Sequence, residues 1–464
     1  MKCQRAKKGS ITVFLALILS LLLSLVCTSI ESVRMASART QILNGMDIGL
    51  YSVFGQYDKK LLEEYDLFAL DGSMGGGQIK LAKVCDNLES YMKPVLKQNS
   101  QNLKLKQSGL TGYRLLTDDN GEVFYQQIVQ YMQETLGSQG VQILLNKMSD
   151  RKRKTEEADL KASQAESGGS IDRYDAEIDQ ASQKSQQAAE EAEQNQQEQN
   201  QQEQVNNPIT VIKRIMKMGI LELVLPSGRG LSTREIDRSM LVSGRKLQQG
   251  MAMPDGVAEE NSYTSNVLYQ QYLMNHLGNY ISPAEEGLAY PMEYIYAGKI
   301  SDLDNLKSVA SKLLFIREGV NFAGLMADNV KRSEAQALAT AIAAGFLVPP
   351  AAVVIETTLL LCWAFAESVL DVRELLAGGR IPLVKTSADW QISLSNLENL
   401  MEGLDSMRRN NDHGVSYEDY LQILLLSVAK EKKVVRGMDM IENTIRNKGF
   451  LYCGTGSICR CKSK

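Results

Sequence analysis

A chain of 464 residues and 51.4 kDa has room for about two to four folding units at roughly 150 residues each. Its net charge of −4, from 51 basic and 55 acidic residues, lacks the basic excess of a nucleic-acid binder. Two histidines, His276 and His413, argue against histidine-based catalysis or metal binding, seven cysteines are too few for a disulfide-dense scaffold, and a mean hydropathy of −0.21 excludes a polytopic membrane protein but not a single anchor.

Between Lys8 and Glu31 lie 22 uncharged residues, GSITVFLALILSLLLSLVCTSI. As a helix rising 1.5 Å per residue they span roughly 33 Å, against a hydrocarbon core of about 30 Å. The apolar run is longer than the core of a signal peptide, and its exit, Val26-Cys27-Thr28-Ser29-Ile30, is not of the small-x-small kind, so a retained transmembrane helix over 11–30 is expected. Lys2, Arg5, Lys7 and Lys8 precede it, and only Arg34 and Arg39 follow closely; this predicts a cytoplasmic leader over 1–10 and an extracytoplasmic bulk in the cell envelope.

Past Glu31 the helical pattern continues. Ile42, Met46, Leu50, Val53, Tyr57 and Leu61 fall at steps of three and four, one stripe of an amphipathic helix, and a near-continuous helix from Ile11 to Glu64 is expected. Gly45 and Gly49, four apart, make a candidate helix-packing face, for the chain's own globular part or for another subunit. Tyr65–Asp71 is a short apolar run ending in a Gly-rich turn. A helix is expected over Ile79–Leu96, a β-hairpin over 103–116 with Gly109 or Gly112 in its turn, and a helix over Val123–Leu136.

Composition changes over 149–207. Eleven of the 25 residues from Gln180 to Gln204 are Gln, and the only apolar residues there are alanines, so a coiled-coil seam is missing and a solvated helix or disordered spacer is expected. From 208 to 450 an α-rich globular domain is expected, with helices over Tyr263–Leu277, Leu303–Met326 and Ser333–Ala344 and short strands over Glu222–Leu225, Ile381–Lys385 and Gln391–Leu394. Ala335–Ile355 is uncharged, but Gly345, Pro349 and Pro350 interrupt it and Glu356 and Glu367 follow. It reads as two buried helices joined at the prolines rather than a second membrane span. The fold class is therefore mainly α, an α-rich α+β chain.

Motifs that carry chemistry are incomplete. Asp71-Gly72-Ser73-Met74-Gly75 is one hydroxyl short of an Asp-x-Ser-x-Ser metal-adhesion motif. Ser243-x-x-Lys246 and Lys385-Thr386-Ser387 each match part of a penicillin-binding set, but Ser100–Asn102 stands in the wrong order for its middle element. No catalytic residue, cofactor or metal site is expected. In the tail over 451–464, Cys453 and Cys459 form a candidate disulfide, with free thiols as the alternative.

The leader and first helices, KKGSITVFLALILSLLL and then ESVRMASARTQILNGMDIGLYSVFGQYDKKLLEEYDLFALD, resemble the N-terminal region of TadE/TadG-like proteins of Tad (Flp) pilus loci. The later blocks YPMEYIYAGKISDLDNL, CWAFAESVLDVRELLAGGRIPLVK and ADWQISL resemble an uncharacterised family found with those loci. The resemblance implies a membrane-anchored, non-catalytic accessory part of a pilus or related envelope assembly, with the lipid bilayer and other assembly proteins as partners. An anchored envelope enzyme and a ligand-binding receptor are the alternatives. Cleavage between Gly9 and Ser10, the place of a prepilin processing site, would put Phe14 where pilins carry glutamate, which argues against processing and against a major filament subunit.

Overall fold

The computed structural model describes residues 8–73, 79–97, 103–166, 208–226, 228, 230–251, 262–345, 351–399, 404, 414–447 and 457–463. The fold is mainly α: among the described residues there are thirteen α-helices and a few short strands. The chain divides into two compact units, one of Met1–Asp119 with Leu247–Val257 and Phe450–Lys464, the other of Asn120–Lys246 with Ala258–Gly449.

In the first unit, α1 (Lys8–Phe54) begins with a window of mean hydropathy 2.7 of which 0% is buried. Its apolar side chains, from Ile11 to Val33, face outward. The expected single helix to Glu64 is broken. A turn at Gly55–Gln56 ends α1, and the Asp58 carboxylate accepts from the amides of Lys60 and Leu61 to start α2 (Lys59–Tyr65). Helix α3 (Leu81–Lys97) buries Val84, Leu88, Met92 and Leu96, a four-residue step that lines one face, and Pro94 is accommodated inside it. That face packs on α1 and, with Val53, Leu70 and Leu115, makes the core of the unit.

The hairpin expected over 103–116 does not form. Strand β2 (Leu110–Leu115) runs through Gly112, and neither Gly109 nor Gly112 takes the positive φ that a tight hairpin turn favours. Its partner is remote: in an antiparallel sheet of order β1-β5-β2, the middle strand is β5 (Ser457–Ser463), and β1 is Leu70–Asp71.

The second unit takes in α4 (Asp118–Glu166) from its third residue. Phe124, Tyr125, Ile128, Val129 and Met132 are buried, and Phe124 and Tyr125 both meet the Tyr269 ring. The division thus falls at Asp119/Asn120 rather than at 148, because this stretch of α4 finds its apolar partners in the second unit. The expected spacer starts inside α4; 167–207 lie outside the described residues.

Helices α5 (Pro208–Met216), α6 (Ile220–Val224), α7 (Tyr263–His276), α8 (Pro291–Ala297), α9 (Asp302–Ala327), α10 (Asn329–Gly345), α11 (Ala352–Leu376), α12 (Tyr417–Leu426) and α13 (Lys430–Asn447) complete the unit. Ser262, Ser301 and Ser416 start α7, α9 and α12 by accepting from amides in the first turn. Helix α11 carries Glu356, Glu367, Asp371, Arg373 and Glu374 on an otherwise largely apolar sequence, and 83% of its apolar window is buried against its neighbours, among them α9, α10, α5 and α6. It is a core helix, and the prolines before it lie outside the described residues. The strand expected over Glu222–Leu225 is α6 instead, its last carbonyls, Leu223 and Leu225, taken by Arg373. Of Ile381–Lys385, Ile381 alone is paired, in β3 (Arg380–Ile381) against β4 (Val415–Ser416), since Pro382 has no N–H to continue the ladder. Gln391–Leu394 is not a strand, for a reason given below.

Candidate functional site

Two features are built well beyond what folding a generic helical domain needs: the bare face of α1, and a charged centre inside the second unit. On α1, Gly45 and Gly49 lie against α3 of the same chain. A Cβ at Gly49 would sit 2.8 Å from Met92 Cγ and 2.9 Å from Leu88 Cδ1, and one at Gly45 would sit 3.4 Å from Leu96. The glycines let two helices approach closely. The side of α1 turned away from α3 carries Val33, Ile48 and Tyr51, the last 83% exposed. Gly9 and Ser10 fall in the first turn of α1.

Inside the second unit, Arg317 of α9 is fully buried and sits against Asp371 of α11, with Nη2 2.9 Å from Oδ2. It also donates to the Leu383 carbonyl at 2.8 Å and to Asn321 Oδ1 at 3.2 Å. Lys385 reaches in from the segment after β3 and bridges Glu367 at 2.5 Å and Asp371 at 2.7 Å. Two positive and two negative groups therefore cancel. Burial alone would raise the Asp371 carboxyl, but Arg317 and Lys385 outweigh it and hold it below the ordinary carboxylate range. Glu367 also accepts from the amides of Gln391 and Ile392, both at 3.0 Å. A carboxylate thus takes the place of a neighbouring strand for Gln391 and Ile392, and Leu394 already opens a 3-10 helix, Leu394–Asn399.

Helix α8 supplies a second polar cluster. Glu293 is fully buried; its Oε1 accepts from Tyr280 N at 2.8 Å and from the Tyr417 hydroxyl at 2.5 Å, and its Oε2 has no hydrogen-bond partner. Burial, first among the causes, pushes its carboxyl up to about 7. The next residue, Tyr294, donates to Asp439 Oδ2 at 2.8 Å, and burial raises the Asp439 carboxyl too. On α13, buried Lys433 donates to Asn266 Oδ1 at 2.5 Å, and desolvation pulls its amine down to about 8.

The motif fragments go elsewhere. Asp71 Oδ1 accepts from the Ser73 amide at 2.8 Å and so closes a turn; Met74 and Gly75 lie outside the described residues. Ser243 and Lys246 are exposed on a turn, where the Ser243 amide donates to Asp439 Oδ1 at 2.9 Å, and Lys385 belongs to the ion cluster. His276 stacks on Tyr272 at 4.2 Å between ring centroids, and His413 lies outside the described residues. Of the candidate disulfide, Cys453 lies outside them, as does the side chain of Cys459. Among the described residues no group of three or more His, Cys, Asp or Glu is arranged to hold a metal ion.

A family model matches residues 198–453, more than half of the chain. The chain belongs to DUF5702, a family of unknown function. The matched DUF5702 segment takes in α5–α13, and with them the ion cluster and the Glu293 cluster, but not α1 or α4. No curated protein and no solved structure matches the chain.

Proposed function

We propose that this DUF5702 protein is a single-pass membrane protein serving as a non-catalytic structural component of an envelope assembly of the Tad (Flp) pilus type. Its basic N-terminal end lies in the cytoplasm and its two folded units outside. The observation that carries the reading is α1: an apolar window of mean hydropathy 2.7 that is 0% buried and runs on, without a break, into the helix that α3 packs against. Burying such a window in lipid removes a large apolar area from water at about 25 cal/mol per Å². Among the described residues one other helix is long and apolar enough to span, α11, and its window is already buried in protein, which supports one span over two. The residues quoted above as resembling TadE/TadG-like proteins supply the pilus part of the reading.

Gene neighbourhood tests that part: adjacent genes for a secretion ATPase and a prepilin peptidase are expected, and their absence would count against it. Crosslinking tests the assembly role. Because Gly45 and Gly49 face α3, the reporter cysteine belongs on the outer face, as Tyr51→Cys. A crosslink to a second envelope protein in intact membranes is expected; a strictly monomeric product argues for an isolated anchored domain.

A further inference from the structure

The chain has two tryptophans, Trp363 and Trp390, and the fold brings them together. Their ring centroids lie 6.1 Å apart at 63°, so the rings form a corner. With Lys331 in place Trp363 is 1% exposed, and contacts on both sides hold the two rings. The Trp363 Nε1–H donates to the Ile392 carbonyl at 2.9 Å, and Gly324 of α9 lies behind Trp390, where a Cβ would meet the ring at 3.4 Å. The neighbouring amides, Gln391 and Ile392, are pinned to Glu367.

A cation already occupies the corner. The Lys331 ammonium sits 4.7 Å from the Trp363 centroid and 5.3 Å from that of Trp390. Lys385 also lies over Trp390, at 5.3 Å, but it is buried and neutralised by Glu367 and Asp371. Lys331 differs. It is half-buried, and among the described residues no carboxylate lies within ion-pair distance of its Nζ. The Asp328 carboxylate is near enough to interact with the Lys331 charge without forming an ion pair; its Oδ1 accepts from the Val330 and Lys331 amides and its Oδ2 from the Ser387 hydroxyl. Lys331 is therefore held in the corner by the ring faces and its own stem, with the Asp328 carboxylate as a weaker electrostatic neighbour.

We propose that the Trp363–Trp390 corner is a binding site for a quaternary ammonium group, and that Lys331 is its built-in competitor. Two electron-rich ring faces at this angle attract a cation of low hydration best, and paired aromatic faces are a recurrent means of recognising quaternary ammonium. A primary ammonium is compact and strongly hydrated, so it is the weaker occupant and leaves more readily. The paired charge of Lys385 adds no net repulsion behind the ring.

Both tryptophans lie in the corner, so intrinsic fluorescence reads it directly. The full chain in anionic lipid nanodiscs is titrated with choline chloride, with potassium chloride at matched ionic strength as control. Removing the competitor with Lys331→Ala should lower the choline half-saturation by about tenfold, the scale of one desolvated cation–π contact. Lys331→Gln, which keeps the stem and loses the charge, provides the same readout if the alanine variant fails to fold. Trp390→Leu should abolish the response. Nanodiscs carrying phosphatidylcholine separate the sources: a response to them without added choline assigns a lipid headgroup, and a response to soluble choline alone assigns a free ligand. A folded Lys331→Ala or Lys331→Gln chain whose emission changes no more with choline than with potassium chloride overturns the proposal.

Discussion

Replacing Glu293 by glutamine should change how stability depends on pH, in a direction fixed by burial. The carboxyl has an ordinary value of 4.5 and is pushed up to about 7 in the fold, burial being the first cause. The folded value lies above the unfolded one, so the folded state holds the proton longer. The stability contributed is fully present below about 4.5 and is lost as pH rises through about 7. At about 1.36 kcal/mol per pKa unit, the ionised carboxylate costs the fold on the order of 3 kcal/mol at alkaline pH. Glutamine is the neutral, near-isosteric copy of the protonated acid. Its carbonyl oxygen keeps the Tyr280 amide and the Tyr417 hydroxyl, and its amide nitrogen occupies the place of Oε2, where the protonated acid carries its own O–H. Urea unfolding of the full chain in nanodiscs, followed by circular dichroism at about pH 5 and about pH 8.5, should give near-equal midpoints at the lower value and a more stable Glu293→Gln chain at the higher. Parallel curves for the two proteins across that range would refute the reasoning.

Lys433 titrates with the opposite sign. Its amine is pulled from 10.5 down to about 8 by desolvation, so stability is lost as pH falls from about 10.5 through about 8, and Lys433→Met should gain on the unaltered chain across that window and hold the gain below it in the same unfolding assay. Lys385→Met leaves Glu367 and Asp371 with Arg317 as their one remaining buried cation and should cost roughly 3–5 kcal/mol, read from the urea midpoint; Glu367→Gln added to it should recover part of the loss. Gly49→Leu drives a side chain into Met92 and Leu88 and should destabilise the first unit by about 1–3 kcal/mol, whereas Tyr51→Ala on the outer face should change its unfolding little.

Local signals carried the helices. Ser262 and Ser301 cap α7 and α9, and the apolar period behind each serine placed both helices within a residue of where they lie. The apolar run of α1 and the polar interruptions around α11 were likewise legible, because length and charge decide them. Strand pairing was not. Nothing near Leu110–Leu115 announces a partner at Ser457–Ser463, and Gly112 looked like a turn because glycine often is one. Gln391–Leu394 has strand composition, but the groups that satisfy its amides come from Glu367 of α11. The same distance hides the Trp363–Trp390 corner: two tryptophans and a lysine on separate elements have no spacing that marks them. The α6 error is of another kind, since five apolar-rich residues fit either period, and Arg373 decides the matter from a helix far along the chain.

The sheet of the first unit imposes an order on biogenesis. Strands β1 and β2 do not pair with each other; both pair with β5, which leaves the ribosome more than three hundred residues after β2. At the usual pace of synthesis that gap lasts on the order of a minute at most. The α1–α3 pair can form early and the second unit can fold as a domain, while β2 waits for most of its ladder with only Tyr113 bridged, to Met251. Closing the sheet is then a late event that brings the chain back on itself, and a ribosome stalled anywhere in the second unit would leave β1 and β2 without their shared partner.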